Sequence, residues 1–286
     1  MRITAAVFMF VILICAFSGT LAAMNWPSED AELIRNFGSN DRGRPSLGMV
    51  FSGDSEILAA ENGEVIFSRG RDNTASRLPS PLGSWTVIDH GDGLISIYSR
   101  YEEENRTLTQ VEKQQAIASP GISGWSSRKG FYFIIFDRRE RRWVNPAMIL
   151  TPVRETRPPQ FFSVELRNSQ GLAAQSSNLS QGRYTVLVNI TGASAAAGRD
   201  LFTPQRIVCS VNGAEAGSLN FEAVSARDGV LMVYRNGLVP ANQVYANFPA
   251  FETAEVFLNR GQVSMEVIIQ DIAGNSRSVV NRLVVN

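Results

Sequence analysis

The sequence predicts an exported, all-β protein of two domains, and three observations carry that expectation. Apolar residues alternate over short runs bounded by Gly, Pro, Asn and Ser, which is the two-residue period of half-buried strands; no long helical periodicity interrupts them. The stretch Thr151 to Pro159 holds three prolines, which cannot donate to a sheet and favour an extended connector. An apolar run near the N-terminus precedes both parts.

That first run fixes the expected destination. Arg2 is followed by the uncharged apolar stretch Ala5 to Phe17, then by the small residues Ser18, Gly19, Thr20, Ala22 and Ala23. This is the layout of a secretory signal peptide over residues 1–23, with cleavage near Ala22 or Ala23. The run is shorter than the about 20 residues a membrane span needs. The alternative is an uncleaved anchor, because no charge follows until Glu29. Ile14 is bulky where a lipobox requires a small residue, so lipidation of Cys15 is not expected. The chain is therefore expected in the periplasm or cell envelope. Once the signal is removed Cys209 is the one remaining cysteine, so no internal disulfide supports the fold. Its place in the alternation Ile207, Cys209, Val211 reads as a buried strand position.

The 286 residues are enough for two separate cores. Lys+Arg and Asp+Glu are equal at 27 each, so no global field draws the chain to nucleic acid or anionic lipid. Nucleic acid is not an expected partner, and a membrane is one only through an uncleaved signal segment. The proline-rich linker over 153–159 separates an expected domain at 24–152 from another at 160–286.

In the second domain the alternations are Phe162-Val164-Leu166, Tyr184-Val186-Val188, Ile207-Cys209-Val211, Val230-Met232-Tyr234 and Val263-Met265-Val267-Ile269, with a last strand from Val279 to Val285. Gly274 and Asn275 suit a tight turn before that strand. Short strands separated by turn signals suggest a β-sandwich. The segment Gln270-Asp-Ile-Ala-Gly-Asn275 resembles the last hairpin of bacterial immunoglobulin-like domains.

The first domain carries a longer ordered signal. Its blocks are Ile57-Leu-Ala-Ala-Glu-Asn-Gly-Glu-Val-Ile-Phe67, Gly83-Ser-Trp-Thr-Val-Ile-Asp-His-Gly-Asp-Gly-Leu-Ile-Ser-Ile-Tyr98, Val111 to Ile117, the glycines Gly121 and Gly124, and Gly130-Phe-Tyr-Phe-Ile-Ile-Phe136. In that order they resemble the lysostaphin/LytM-type zinc endopeptidase domain over nearly all of 33–150, and Phe37-Gly38 matches the F-G ahead of its first metal motif. The fold class so implied is all-β: a LytM-like antiparallel domain followed by an immunoglobulin-like sandwich. The resemblance implies a groove whose floor holds zinc through two histidines and an aspartate, with an open position for water.

Here those positions are lost. The family's first ligand pair falls at Ser46 and Val50, the histidine of its Y-x-H at Arg100, and its final H-x-H at Phe131-Tyr-Phe133. The chain has one histidine, His90, which matches a turn position of the family, so no site of several imidazoles can be assembled in any register. No catalytic residue, metal or cofactor is expected. Arg100, Phe131 and Phe133 define the expected groove, either as an aromatic floor for peptide or glycan or, if the groove has filled in, as core. The run Arg138-Arg139-Glu140-Arg141-Arg142 reads as a charged hairpin tip, usually solvated, with contact to an anionic polymer or acidic partner as the alternative.

The functional expectation is a non-catalytic envelope protein, a pseudopeptidase module that binds peptidoglycan or an envelope protein. Regulation of cell-wall hydrolysis and scaffolding both fit that description. The competing expectations are an active zinc-dependent peptidoglycan endopeptidase, which the histidine count opposes, and a structural envelope or surface protein working through its C-terminal domain.

Overall fold

The computed structural model describes residues 23–41, 43–70, 79–104, 108–152, 163–174, 179–190, 203–247 and 249–286. Apart from Ala23, the expected signal peptide lies outside the described residues, as does the linker 153–159. The fold is all-β with antiparallel ladders. Among the described residues the helical elements are the 3₁₀ turn Pro146–Met148 and the helix Ala241–Tyr245.

The first half is built on β1 (Met49–Ser52), β2 (Gly63–Arg69), β3 (Ser84–Asp89), β4 (Leu94–Tyr101), β5 (Gly130–Asp137) and β6 (Arg142–Val144). They hydrogen-bond in the order β2-β3-β4-β5, and the other edge of β5 takes β1 along its first part and β6 along its last. One face packs a core in which Phe51 stacks on Phe131 at 4.8 Å and Tyr98 meets Phe133 at 5.1 Å. A small sheet of Ile57–Leu58, Ala116–Ser119 and Glu103–Glu104 accompanies that core, to which Ile57 and Ile117 belong. Ala59 and Ala60 are fully buried there, and the Ala60 amide donates to the Tyr98 hydroxyl (2.8 Å), so side chains larger than alanine have no room.

The second half has two sheets around one core. Strands β7 (Ser163–Asn168), β8 (Gly182–Asn189) and β12 (Ala250–Leu258) form one with the short strand Ala173–Ala174. The other contains β9 (Arg206–Val211), β10 (Ala214–Arg227), β11 (Val230–Arg235), β13 (Gly261–Gln270) and β14 (Ser276–Val285). Val186, Val188, Phe251 and Leu258 of the first pack with Ile207, Cys209, Val263 and Val267 of the second. The β13–β14 turn forms as its sequence predicts: Gly274 has φ +85°, and Asp271 Oδ1 accepts from the Asn275 amide at 2.8 Å. The alternation Val230-Met232-Tyr234 does not define a buried face. Met232 and Val233 are buried whereas Val230 and Tyr234 are 46% and 49% exposed, because β11 pairs on β10 across an irregular register.

The halves are joined by more than the linker. Strand β6 pairs with β10 (Arg142 with Ser225, Val144 with Ala223), so one sheet runs from β2 through to β14. Asn145 Nδ2 donates to Phe221 O at 3.1 Å beside this seam. Phe37 sits in the second core, and Tyr245 donates its hydroxyl proton to Gly38 O. Gly38 has φ +74°, and a Cβ there would lie 2.9 Å from the Phe221 ring, so both its conformation and its packing require glycine.

Candidate functional site

Strand alternation sorts the side chains of the first sheet onto two faces. Phe133 lies opposite Met49 and Tyr98, and Phe131 opposite Phe51, all on the core face. Tyr132 lies opposite Val50 on β1 and Ser99 on β4, and Ser99 lies opposite Trp85 on β3. Trp85, Ser99, Tyr132 and Val50 therefore form one row across four strands on the other face. Val87, Ile97 and Ile134 form the next row. Phe67 of β2, 42% exposed, packs its ring 4.4 Å from Trp85.

Arg100 is the irregular residue of this face. Its φ is +70°, uncommon for a side chain other than Gly, Asn or Asp, and the β3–β4 register shifts here: Trp85 pairs with Ser99 and Ser84 with Tyr101. Strict alternation would send residue 100 to the core side with Tyr98. The bulge turns it back, and its guanidinium lies over the Tyr132 ring at 4.7 Å. Tyr101 then takes the core side, buried, with its hydroxyl 2.6 Å from Thr86 Oγ1.

The backbone of the bulge is held from two turns. The Arg100 amide donates to Leu82 O at 2.8 Å, and Arg100 O accepts from Ser123 N at 3.3 Å. Among the described residues, Arg100 Nε and Trp85 Nε1 are buried without a hydrogen-bond partner. Burial lowers the Arg100 pKa from its ordinary value; Tyr132 and Asp41 oppose that shift, and Asp41 is itself bridged to Arg35 at 3.4 Å. The Tyr132 hydroxyl accepts from Leu47 N at 2.9 Å and lies 3.4 Å from Ser46 Oγ. Burial raises its pKa.

The residues at the positions that the sequence resemblance gives to a metal site therefore divide. Ser46, Val50 and Arg100 gather around Tyr132. Phe131 and Phe133, expected either as a groove floor beside Arg100 or as core, point into the core with 2% and 0% exposure. The core alternative describes both rings, so they do not lie beside Arg100; the ring on the Arg100 face is Tyr132. Tyr132 and Trp85 are the residues of this face that the motif comparison passes over.

His90 follows β3 in a turn. Its Nδ1 lies 2.8 Å from Asn62 O and its Nε2 2.7 Å from Ser96 Oγ, so the ring ties the turn to β4. Among the described residues no group of three or more His, Cys, Asp or Glu side chains is placed to hold a metal ion. The basic run 138–142 is the β5–β6 turn, where Asp137 Oδ1 accepts from the amides of Arg139 and Glu140, and Arg138 pairs with Asp89 at 2.5 Å.

Comparisons with known proteins give partial matches. A family model whose description states no function matches residues 158–286. An uncharacterized protein of Treponema pallidum (strain Nichols) is 24% identical over 143 residues, covering 44% of this chain and 96% of that protein. Among solved structures, a mutant catalytic domain of the prophage-encoded M23 protein EnpA from Enterococcus faecalis is 19% identical, with a TM-score of 0.37, over 44% of this chain and 95% of that one. The SpoIIQ–SpoIIIAH pore-forming complex is 18% identical with a TM-score of 0.37 over 46% and 92%. The lysostaphin catalytic domain from Staphylococcus simulans is 18% identical with a TM-score of 0.31 over 36% and 77%.

Proposed function

We propose that this is a non-catalytic protein of the bacterial cell envelope, in which a peptidase-like module over 24–152 works by binding and is joined to an immunoglobulin-like module over 160–286. One observation carries the reading: at the positions where the sequence resemblance places a metal site, Arg100 is stacked on Tyr132 with Ser46 beside them, and Phe131 and Phe133 lie in the core. A guanidinium repels a cation, and a serine and a buried tyrosine supply no ligand set for zinc. The one histidine is committed to a turn. The partner is peptidoglycan or an envelope protein, reached after export.

The test is elemental analysis and hydrolysis assays on the purified mature chain. Less than stoichiometric zinc and no chelator-sensitive cleavage of peptidoglycan peptides are expected. One tightly held zinc per chain, or cleavage that survives His90→Ala, would refute the reading. Crosslinking of the full chain in cells then separates binding through this face from a structural role of the C-terminal module. Variants at Arg100 should alter what is captured, whereas changes on β13 or β14 should not.

A further inference from the structure

Residues 23–27 are tied into the first core. Met24 is 4% exposed and belongs to that core; its amide donates to Ile149 O at 3.0 Å and its carbonyl accepts from Thr151 N at 2.7 Å. Asn25 N donates to Ala60 O at 2.8 Å, Pro27 O accepts from Leu58 N at 2.8 Å, and Trp26 Nε1 donates to Thr151 O at 2.8 Å. The Trp26 ring meets Phe51 edge-on at 6.1 Å. The ties reach one residue further back. Lys113 Nζ donates both to Ala23 O at 2.9 Å and to Glu61 Oε2 at 2.8 Å, although Ala23 itself is exposed. The fold thus uses the peptide group between Ala23 and Met24 twice, its N–H on Ile149 and its oxygen on Lys113.

An amide fits that place and a free amine does not. The oxygen and nitrogen of one peptide group lie about 2.3 Å apart, so an α-ammonium on Met24 would stand within about 5 Å of the Lys113 ammonium. A chain beginning at Met24 would also lack Ala23 O, the acceptor that Lys113 uses. The preceding residues point to the same bond. A leader cut favours small residues at the first and third positions before it. A cut after Ala22 offers Ala22 and Thr20, whereas a cut after Ala23 offers Ala23 and the bulky Leu21. Resting on the reading of the N-terminal run as an export signal, and independent of what the mature protein binds, we propose that the leader is removed by hydrolysis of the Ala22–Ala23 bond. Water adds across that amide under a membrane signal peptidase, leaving a carboxylate on Ala22 and an amine on Ala23. Ala23 stays as the first residue of the mature chain. The Lys113–Glu61 pair then docks the new N-terminus through the Ala23 carbonyl, and the charged amine stays one residue outside the core.

The experiment expresses the full chain, leader included, in a bacterial host and reads the recovered protein by intact mass and N-terminal sequencing. A chain beginning at Ala23 is expected. A first residue of Met24 or beyond, or one between the leader's start and Ala22, would overturn the bond assignment. A wholly retained leader would overturn the export reading with it, and neither result bears on the zinc and hydrolysis tests of the non-catalytic reading. A second measurement compares chains 23–286 and 24–286, each released from a cleavable N-terminal fusion. Loss of Ala23 should lower Tm by about 2–4 °C at pH 7, the size of one lost contact in a chain of this length. That deficit should shrink as pH rises past about 8, where an unfolded α-amine loses its proton and the penalty on its charged form in the fold disappears. Lys113, Glu61 and His90 stand in both chains, so the group that differs is the amine at Met24. No deficit, or one that does not change with pH, would overturn the docking, because shortening a chain by one residue carries no titration of its own.

Discussion

Replacing Phe133 by alanine separates the core face of the first sheet from the groove face. The ring has no exposure, lies 5.1 Å from Tyr98, and sits one row from the Phe131–Phe51 stack. Truncating such a ring typically costs about 3–5 kcal/mol. Unfolding entropy of about 2.1 cal/mol/K per residue gives a half of about 130 residues about 0.27 kcal/mol/K, so a 4 kcal/mol loss lowers Tm by about 15 °C if that half melts alone. If the continuous sheet makes both halves melt together, the same loss lowers Tm by about 7 °C. The control is Arg100→Gly. It relieves about 1–2 kcal/mol of left-handed strain, loses about 0.5–1 kcal/mol of cation–π contact, and adds about 0.5–1 kcal/mol of unfolded-chain entropy. The net change should stay within about 1 kcal/mol. Calorimetry of the three proteins decides. A Phe133→Ala shift no larger than that of Arg100→Gly would mean the faces are assigned the wrong way round.

His90 is the one imidazole of the chain, so a single proton signal reports it. Burial lowers its pKa from the ordinary value, against the Asn62 hydrogen bond and the charges of Glu61 and Asp89. Its contribution to stability should therefore be complete above about pH 6.5 and be lost as pH falls through the lowered folded value, a loss that His90→Gln removes; a folded pKa above 6.5 would contradict this. Cys209 is fully buried with its pKa pushed up to about 11, so it should resist alkylation at pH 8 until denaturant is added. In denaturant one thiol should then react if the leader carrying Cys15 has been removed, and two if it remains; rapid labelling of the native protein would refute burial. Trypsin should nick near Arg154 or Arg157, and the fragments should still co-elute because β6 pairs with β10 and Phe37 lies in the second core. Separation of the fragments on a native column would show that the seam does not hold.

The parts of this structure that were legible in the sequence are those where alternation is clean. Val263, Met265, Val267 and Ile269 predict one buried face of β13, and all four are buried. The register at Phe131-Tyr132-Phe133 was not legible, for a physical reason: β5 is buried on both faces over most of its length, so its sequence carries no period from which to choose a face. By resemblance the two phenylalanines fall on two histidine positions, and only pairing with β1 and β4 shows that Tyr132 shares a face with Arg100. The bulge was hidden for another reason, since arginine gives no sign of positive φ where glycine or asparagine would. Strand β10 was missed because Ala214 to Arg227 mixes small, polar and acidic residues along a strand with one long irregular pairing.

The least legible link is the one between the second half and the site. Phe37-Gly38 matched a family motif, yet in this chain Phe37 packs in the second core and Gly38 O accepts the Tyr245 hydroxyl. From there the backbone runs back: Gly38 N donates to Ser46 O at 2.9 Å, and Leu47 N donates to the Tyr132 hydroxyl at 2.9 Å. Leu47 itself packs against the second core. The ring that carries Arg100 is thus positioned by a segment anchored in the other half. Tyr245→Phe removes the donor to Gly38 O while keeping the ring, and an unsatisfied buried carbonyl costs about 1–3 kcal/mol. It should therefore shift the Leu47 amide and the Arg100 Nε–H resonances as well as signals near the helix Ala241–Tyr245. Perturbation confined to the second half would show that the segment is a passive connection, and that the site is set by the first sheet alone.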